Sequence, residues 1–438
     1  MSFLRTMEDD IDLLSFIHTP IDDEELQVLT NGLADNSSMR QNLNLSDCSL
    51  GPKKTRCISD ALQVNSTLKS LNLQLNNIGS TGARFLSSAL RSNSSLEELY
   101  LGFNGLEPRG SAWIALGLVY STSLRSVTLN SNNLGPTGTR WLAQGLRMNT
   151  SLESLNLDDN YIGPEGGRWL KDALLENGTL ERLSLRRNNL GPEGVRYLSE
   201  GLQSNTALKS LNLTGNCIRC TGAQWIGRVL VVNTSLETLS LRVNRIGSDG
   251  VRWLCQGLTH NTTLVNLHLA SNMIDAKGAV WIKSLFLQRT TGLGVLDLDS
   301  NNLRNDGARL LAEALVVNDT LRVLHLGWNG IGNEGAEAFA DCLGSNTSLE
   351  HLYMNFSAIT VDGMRFFQAT LERNFSLQTI MVRRDLEDTV VNEALRRNAS
   401  IRKQTLRRTL CEWIQARHAP NFESLLLSSL LYPMCGIH

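Results

Sequence analysis

A phrase of sixteen residues returns at a nearly constant spacing, and this repetition constrains the fold more than any other feature of the chain. "LNLDDNYIGPEGGRWL" begins at Leu155, "LSLRRNNLGPEGVRYL" at Leu183 and "VTLNSNNLGPTGTRWL" at Val127, which is an interval of 28 residues. A period in this range indicates stacked structural repeats rather than separate globular domains. One slot of the repeat holds asparagine ten times, at Asn76, Asn104, Asn132, Asn160, Asn188, Asn216, Asn244, Asn272, Asn301 and Asn329.

Each unit has the pattern of a strand, a turn and a helix. Leu155 and Leu157 alternate with polar residues, which predicts a short strand with one buried face. A turn follows, and Pro164 then suits the first turn of a helix, where its missing N–H costs nothing. In that helix, Trp169 and Leu170 fall on the predicted apolar face.

A unit this short cannot bury its own leucines, so neighbouring units have to share a core. Strands stack about 4.8 Å apart, whereas helices are about 10 Å wide, so the helical layer must fan outward. The sequence therefore predicts an α/β solenoid of about 12 repeats of 28 residues. Its parallel β-sheet forms the concave face and its α-helices the convex face.

Three positions that recur from repeat to repeat lead to structural predictions. We expect the slot asparagines to be buried and to satisfy backbone groups in the turns, with Cys48 as a variant of the same slot. A second set of asparagines precedes each new strand, and we expect a left-handed backbone there because asparagine tolerates it. Six tryptophans share one helix slot, and we expect them to pack in the core. They are Trp113, Trp141, Trp169, Trp225, Trp253 and Trp281, with Phe85 and Tyr197 in the same place.

The pattern resembles the ribonuclease-inhibitor-like subclass of leucine-rich repeat proteins over roughly residues 39–380. Within that subclass it is most similar to the repeat arrays of NOD-like receptors, as in "ALRSNSSLEELYLGFNGL" and "ALVVNDTLRVLHLGWNGIGNEG". The nucleotide-binding module of those receptors has no counterpart here, since no G-x-x-x-x-G-K-[ST] motif occurs. The resemblance implies a horseshoe-shaped solenoid that binds a protein partner, plausibly in innate immunity.

Composition divides the chain into three parts. Residues 1–38 are predicted to form an acidic, helical N-terminal cap, residues 39–380 the repeat array, and residues 381–438 a helical C-terminal cap with an apolar tail. The net charge of −2 favours neither nucleic acid nor membrane as a partner. Eight scattered cysteines fit a reducing compartment, so we expect a cytoplasmic protein, with the nucleus as a second possibility.

The outward strand positions are small and polar in the middle of the array and richer toward its C-terminal end. Trp328, Tyr353 and Phe356 are predicted to lie near His325 and His351 there. Because aromatic side chains dominate binding hot spots, this cluster is the leading candidate for a partner-binding site. The alternative is that Trp328 and Phe356 fold into the adjacent loop layer.

A second candidate site combines arginines, whose planar guanidinium groups suit carboxylate or phosphate partners. It consists of Arg182, Arg186, Arg187 and Arg242, beside Asp158 and Asp159.

We expect no metal, no cofactor and no catalytic residue. His268, Asp297 and His325 share one column on successive strands, but the two histidines would lie roughly 10 Å apart, too far to share one ion easily. Cys217 and Cys220 form a lone C-x-x-C, whereas a structural zinc site needs about four ligands.

Two functions follow from the pattern. The first is a non-enzymatic protein-binding scaffold that uses the concave face, for which the resemblance to NOD-like receptors implies a role in regulating signalling or immune sensing. The alternative is a GTPase-activating protein resembling the Ran GTPase-activating protein, which uses the same repeat subclass. That family carries an acidic C-terminal tail, whereas this chain is basic over residues 383–417 and apolar after them.

Overall fold

The computed structural model describes residues 13–36, 41–382, 391–401 and 403–404, in which short strands alternate with helices. The strands are β1 Leu13–Ser15, β2 Asn42–Asn44, β3 Ser70–Asn72, β4 Glu98–Tyr100, β5 Ser126–Thr128, β6 Ser154–Asn156, β7 Arg182–Ser184, β8 Ser210–Asn212, β9 Thr238–Ser240, β10 Asn266–His268, β11 Val295–Asp297, β12 Val323–His325, β13 His351–Tyr353 and β14 Thr379–Met381. The helices between them are α1 Asp23–Ala34, α2 Gly51–Leu62, α3 Gly79–Ser92, α4 Glu107–Tyr120, α5 Gly135–Met148, α6 Gly163–Glu176, α7 Gly191–Leu202, α8 Arg219–Leu230, α9 Gly247–Leu258, α10 Ala276–Leu287, α11 Arg304–Leu315, α12 Asn333–Leu343 and α13 Val361–Leu371. Residues 391–401 are also helical.

All 14 strands belong to one parallel sheet, in which each strand pairs with the next one along the chain. The register advances by one repeat per strand, so that Leu155 of β6 pairs with Leu183 of β7. The predicted solenoid is confirmed. It has more strands than the 12 predicted repeats because β1 and β14 extend the sheet at its two ends.

The predicted end segments contribute to this array. In the predicted N-terminal cap, β1 pairs with β2, and α1 begins with a capping box between Asp22 and Glu25. At the other end, Asn398 donates hydrogen bonds from its side chain to the carbonyls of Asn374 and Leu377. The predicted apolar tail lies outside the described residues. In the described ranges, no helix combines the length and apolar character that crossing a bilayer requires.

The turns after β3 to β12 are built around the slot asparagine, which is buried in each of them except for the partly buried Asn301. In the β6 unit, Asn160 is flanked by Asp159 and Tyr161, both with a left-handed backbone (φ 55° and 56°). This coiled turn leaves carbonyl and N–H groups without strand partners. The neighbouring asparagine supplies them, since Asn188 Nδ2 donates to Leu157 O (2.8 Å) and its Oδ1 accepts from the Asn160 N–H (2.9 Å). The predicted role of this slot is confirmed.

The asparagines that precede each strand do not have the predicted left-handed backbone. Asn149 is extended, with φ −81° and ψ 135°. Its amide is buried instead and forms a second ladder, because Nδ2 donates to Leu118 O (2.7 Å) in the preceding unit. Its Oδ1 accepts from the Leu152 N–H at the start of the next strand (2.7 Å). The slot needs an amide, not an unusual φ.

The tryptophan column lies beside the core and not inside it, although Trp169 and Trp281 pack against core residues, so that prediction holds only in part. Trp113 is 37 % exposed and Trp141 is 43 % exposed, while the other four members are partly buried. Consecutive helix positions differ by about 100° in direction, and the next residue, such as Ile114 or Leu142, takes the buried place. The aromatic rings therefore lie along the outer flank of the helices, on the convex face.

Candidate functional site

The sheet register brings four predicted residues into one row on the concave face. His268 of β10 pairs with Asp297 of β11, which pairs with His325 of β12, which pairs with Tyr353 of β13. Each is the last residue of its strand, and the residue before it is a buried leucine. Period-two alternation thus points these four side chains away from the core.

Asp297 is fully buried (0 % exposed), although it lies on the outward face of the sheet. Arg242 extends from the turn after β9, and its Nη2 lies 2.5 Å from Asp297 Oδ2. His268 Nδ1 lies 3.5 Å from the same oxygen. Burial alone would raise the pKa of Asp297. The His268 ring, a backbone N–H and the Arg242 guanidinium outweigh it, so the pKa of this carboxyl lies below its ordinary value.

Asp299, which sequence reasoning missed, stands two residues further along the same outward face. Its Oδ1 accepts from the Gly327 N–H at 2.7 Å, which ties the ends of β11 and β12 together. Burial raises the pKa of Asp299, and the neighbouring Asp297 carboxylate adds to the rise. Two acids at alternating positions of one strand, Asp297 and Asp299, were the sequence signal that could have identified this group.

The two histidines at the C-terminal end stack with a tyrosine. The rings of His325 and Tyr353 are 4.4 Å apart and nearly parallel (12°), and the rings of His351 and Tyr353 are 6.4 Å apart. Burial lowers the pKa of His325 even though carboxylates lie nearby, and burial also lowers the pKa of His351. Both imidazoles are therefore mostly neutral at pH 7 and act as flat, weakly polar surface.

Trp328 and Phe356 form a second stack at the edge of the concave face, in the turns after β12 and β13. Their rings are 4.4 Å apart with an interplanar angle of 19°. Trp328 is 58 % exposed and Phe356 is 60 % exposed, so they do not fold into the loop layer. Both have a left-handed backbone (φ 56°), which directs the side chains outward. The structure therefore brings together the five aromatic and histidine residues predicted for this end.

The predicted arginine site is not one cluster. Arg182 lies near Glu181 (3.4 Å) and Glu153 (3.8 Å). Arg186 is exposed beyond the end of β7, together with the adjacent Arg187. Arg242 lies two strands away and is held against Asp297. Arg242 was predicted to lie with the other arginines because it occupies the same position of its repeat as Arg186. Its long side chain turns instead toward the buried carboxylate of Asp297.

Ligands for a metal ion are not gathered in the described part of the chain, where no group of three or more histidine, cysteine or acidic residues has suitable geometry. The His268–Asp297–His325 row is occupied by the contact with Arg242 instead. Cys217 and Cys220 are both free thiols.

A sequence model described as "Leucine Rich repeat" matches seven stretches of the chain: residues 64–87, 149–169, 176–199, 204–226, 232–255, 260–282 and 317–340. These stretches follow the strand and helix pattern described above. The matched stretches and the fold together show a leucine-rich repeat solenoid. A search of curated proteins finds no match.

Three solved structures are among those to which the chain is similar. Actin-binding site 2 of leiomodin-1 is 18 % identical, covering 31 % of this chain and 79 % of that one, with a TM-score of 0.29. The C-terminal domain of tropomodulin from Caenorhabditis elegans is 17 % identical (43 % and 98 % covered, TM-score 0.30). Rad7, in its complex with Elc1 from yeast, is 15 % identical (84 % and 87 % covered, TM-score 0.40). Identities and scores of this size leave the partners of the leucine-rich repeat chain unspecified.

Proposed function

We propose that this leucine-rich repeat protein is a non-enzymatic scaffold that binds a protein partner on its concave face. The contact is centred on the C-terminal aromatic surface, defined as His325, Trp328, His351, Tyr353 and Phe356. The observation that carries the proposal is the Trp328–Phe356 stack, in which two large aromatic side chains are more than half exposed. Rigid aromatic groups bury much area and lose little rotamer entropy on binding, so they suit a hot spot.

The charged groups beside the aromatic surface support a protein partner over a metal or small cofactor. The Arg242–Asp297 contact neutralises the one buried carboxylate of the row, and Asp299 is held by the backbone of the next strand. The surface that remains is flat, aromatic and nearly neutral, and it lies on rigid strands and turns. Protein interfaces combine an aromatic centre of this kind with a polar surround.

A matched pair of variants tests the proposal, because the fourth strand carries the same residue types in the same slots. Tyr353→Ala/Phe356→Ala removes two of the five side chains that define the C-terminal aromatic surface. Tyr100→Ala/Phe103→Ala removes an equivalent pair from the N-terminal half, where Phe103 has the same left-handed backbone (φ 58°). Partners captured from cell extract would be quantified by mass spectrometry for the wild type and both variants.

We expect the Tyr353/Phe356 variant to lose a partner that the Tyr100/Phe103 variant retains, with similar circular dichroism for all three. If both variants retain every partner, or lose the same ones, the C-terminal aromatic surface is not the binding site.

The role of such a partner in signalling or immune sensing rests on the resemblance to NOD-like receptor repeat arrays, whereas a cytoplasmic or nuclear location rests on the scattered cysteines. The identity of the captured partner decides both. The GTPase-activating alternative is tested separately, by measuring GTP hydrolysis by a panel of small GTPases with and without the protein. Acceleration of any of them would replace the scaffold proposal with the enzymatic one.

A further inference from the structure

The convex side carries a second, chemically different surface on helices α3, α4 and α5. On α4, the exposed residues Trp113, Leu116 and Tyr120 follow one another at spacings of three and four, which places them on one stripe of the helix. Trp141 of α5 lies in the same helix slot as Trp113 and is also exposed. Exposed apolar side chains are common one at a time, but a continuous group on neighbouring helices indicates an interaction site.

The three helices lie close together because small residues separate them. A Cβ on Gly117 of α4 would lie 3.3 Å from the Ser87 Cα of α3, and one on Gly145 of α5 would lie 3.2 Å from the Ala115 Cα of α4. The apolar stripes of α4 and α5 therefore border one continuous surface.

This surface is strongly basic. Helices α3 to α5 contain five arginines and no lysine, and Glu107 is their single acidic residue. All five arginines are exposed: Arg84, Arg91, Arg109, Arg140 and Arg147. In the described ranges, only Arg147 forms an ion pair, with Glu176 of α6 at 2.6 Å.

Three of the other arginines lie over aromatic rings instead of carboxylates, and Arg84 is one of them, 5.4 Å from the centre of the Phe85 ring. The Arg91 guanidinium is 4.6 Å from the centre of the Tyr120 ring, and that of Arg140 is 4.9 Å from the centre of the Trp169 ring. Such contacts orient a guanidinium without neutralising it, so its charge and its N–H donors remain available to a partner.

We propose that this convex basic patch binds an acidic, amphipathic helical segment of a partner protein. The leucines of such a helix would cover Trp113, Leu116 and Tyr120, and its carboxylates would pair with Arg84 and Arg140. The patch spans three helices, or roughly 30 Å. On one side it is bounded by α6, which carries Glu165, Asp172 and Glu176 against two basic residues, and on the other side it continues onto the basic helix α2.

Size and charge favour a short acidic protein segment over nucleic acid or membrane. A nucleic-acid strand that crossed the helices would meet α6, where acidic residues outnumber basic ones three to two. The whole chain has a pI of about 6.4, whereas nucleic-acid-binding domains are usually basic overall. A bilayer is flat and extended, and it would also meet the acidic residues of α6. A helix of a few turns fits within the basic area alone.

The test uses the full-length chain and a fluorescein-labelled peptide of about 18 residues, or five helical turns, with leucines at i, i+3, i+4 and i+7 and glutamates between them. Binding is followed by fluorescence anisotropy. Three further probes are measured in the same way or by sedimentation: the same peptide with lysine in place of glutamate, an oligouridine, and vesicles of phosphatidylcholine and phosphatidylserine.

The array offers a matched control for the charge. Arg309 and Arg365 occupy the same helix slot as Arg84 and Arg140, but they pair with Asp306 (2.5 Å) and Asp362 (2.8 Å). We expect Arg84→Glu/Arg140→Glu to weaken acidic-peptide binding about tenfold or more, and Arg309→Glu/Arg365→Glu to leave it within about twofold.

Tyr120→Ala should also weaken binding, because it removes an exposed apolar side chain, and binding should fall as salt rises. Tyr353→Ala/Phe356→Ala should leave it unchanged, which separates this proposal from the concave one. No binding of the acidic peptide, equal loss in both arginine variants, or preferential binding of oligouridine or vesicles would overturn the proposal.

Discussion

Trp328 combines an exposed aromatic side chain with a backbone conformation that side chains usually avoid. Its φ of 56° is imposed by the turn around Asn329, whose amide donates to three carbonyls of the turn layer. A left-handed backbone costs about 1–2 kcal/mol for a residue with a Cβ. A turn that tolerates this cost with tryptophan holds the side chain in a fixed outward direction, which is what preorganises a binding surface.

The strain predicts that glycine is more stabilising than alanine at position 328, which is the reverse of their order inside a helix. Trp328→Gly should be about 1 kcal/mol more stable than Trp328→Ala, because glycine adopts a positive φ without the Cβ penalty. Trp253, inside helix α9, is the control, since glycine there should be about 1 kcal/mol less stable than alanine. Urea unfolding followed by circular dichroism gives both differences. The same order at both positions would show that the turn does not strain Trp328.

At the scale of the element, each unit depends on amide groups donated by its neighbour. Asn188 forms bonds of 2.8 Å and 3.1 Å from Nδ2 to the carbonyls of Leu157 and Arg186, and its Oδ1 accepts from the Asn160 N–H. The bonds to Leu157 and Asn160 are buried, and the bond to Arg186 is partly buried. One side chain therefore connects two consecutive turns, and the sheet alone does not hold them together.

We expect Asn188→Ala to destabilise the protein by about 3 kcal/mol or more, because it leaves several buried backbone groups without partners at about 1–3 kcal/mol each. Asn156→Ala is the control. Asn156 lies on the concave face and accepts one backbone hydrogen bond, from Asp158 at 2.8 Å, so its loss should cost about 1 kcal/mol. Chemical denaturation of both variants checks the difference. Equal costs would mean that the buried ladder is dispensable.

Strands, helices and the asparagine ladder could be predicted from the sequence because each depends on contacts that recur in every unit. The leucines at alternate positions and the asparagine at a fixed offset carry that information many times over. The tryptophan column was misplaced because Trp141 and Leu142 are adjacent, both are apolar, and only one of them can face the core. The direction in which each side chain leaves the helix decides which of the two is buried, and hydrophobicity alone does not.

The candidate site was only partly predictable because its contacts cross units. The stacking of Trp328 on Phe356 follows from equal slots in adjacent repeats, so the sequence indicated it. Arg242 reaches Asp297 across two strands, and that pairing depends on side-chain length and on burial of the acid. No single-unit pattern contains this information, which is also why Asp299 was missed.

The whole molecule is a stack of nearly interchangeable units, and this predicts tolerance to the loss of one of them. Deleting residues 154–181 removes one period, so that Ser126 of β5 would pair with Arg182 of β7 in the register that it now shares with Ser154. We expect a folded chain with one cooperative thermal transition, because stability in such arrays is shared between neighbours. Far-ultraviolet circular dichroism and calorimetry test this.

Removing only residues 154–167 is the control, since it deletes β6 and the first five of the 14 residues of α6 and breaks the register. That chain should lose most of its cooperative transition. If the full-period deletion unfolds as badly as the half-period one, the units are not equivalent.

The ladder of asparagines before the strands is interrupted late in the array. In one unit the slot holds Thr290, whose hydroxyl still donates to the Thr259 carbonyl of the preceding unit (2.5 Å), but in the next unit the Asn318 amide donates to Thr320 in its own turn. One cross-tie is thus replaced by a local bond just beside the strands that carry Asp297 and His325. A solenoid whose units are all tied to their neighbours bends evenly, whereas one that lacks a tie between two units bends more easily at that place. If the horseshoe opens or closes around a protein partner, we expect the bend at this place, so that the curvature changes beside the proposed binding surface.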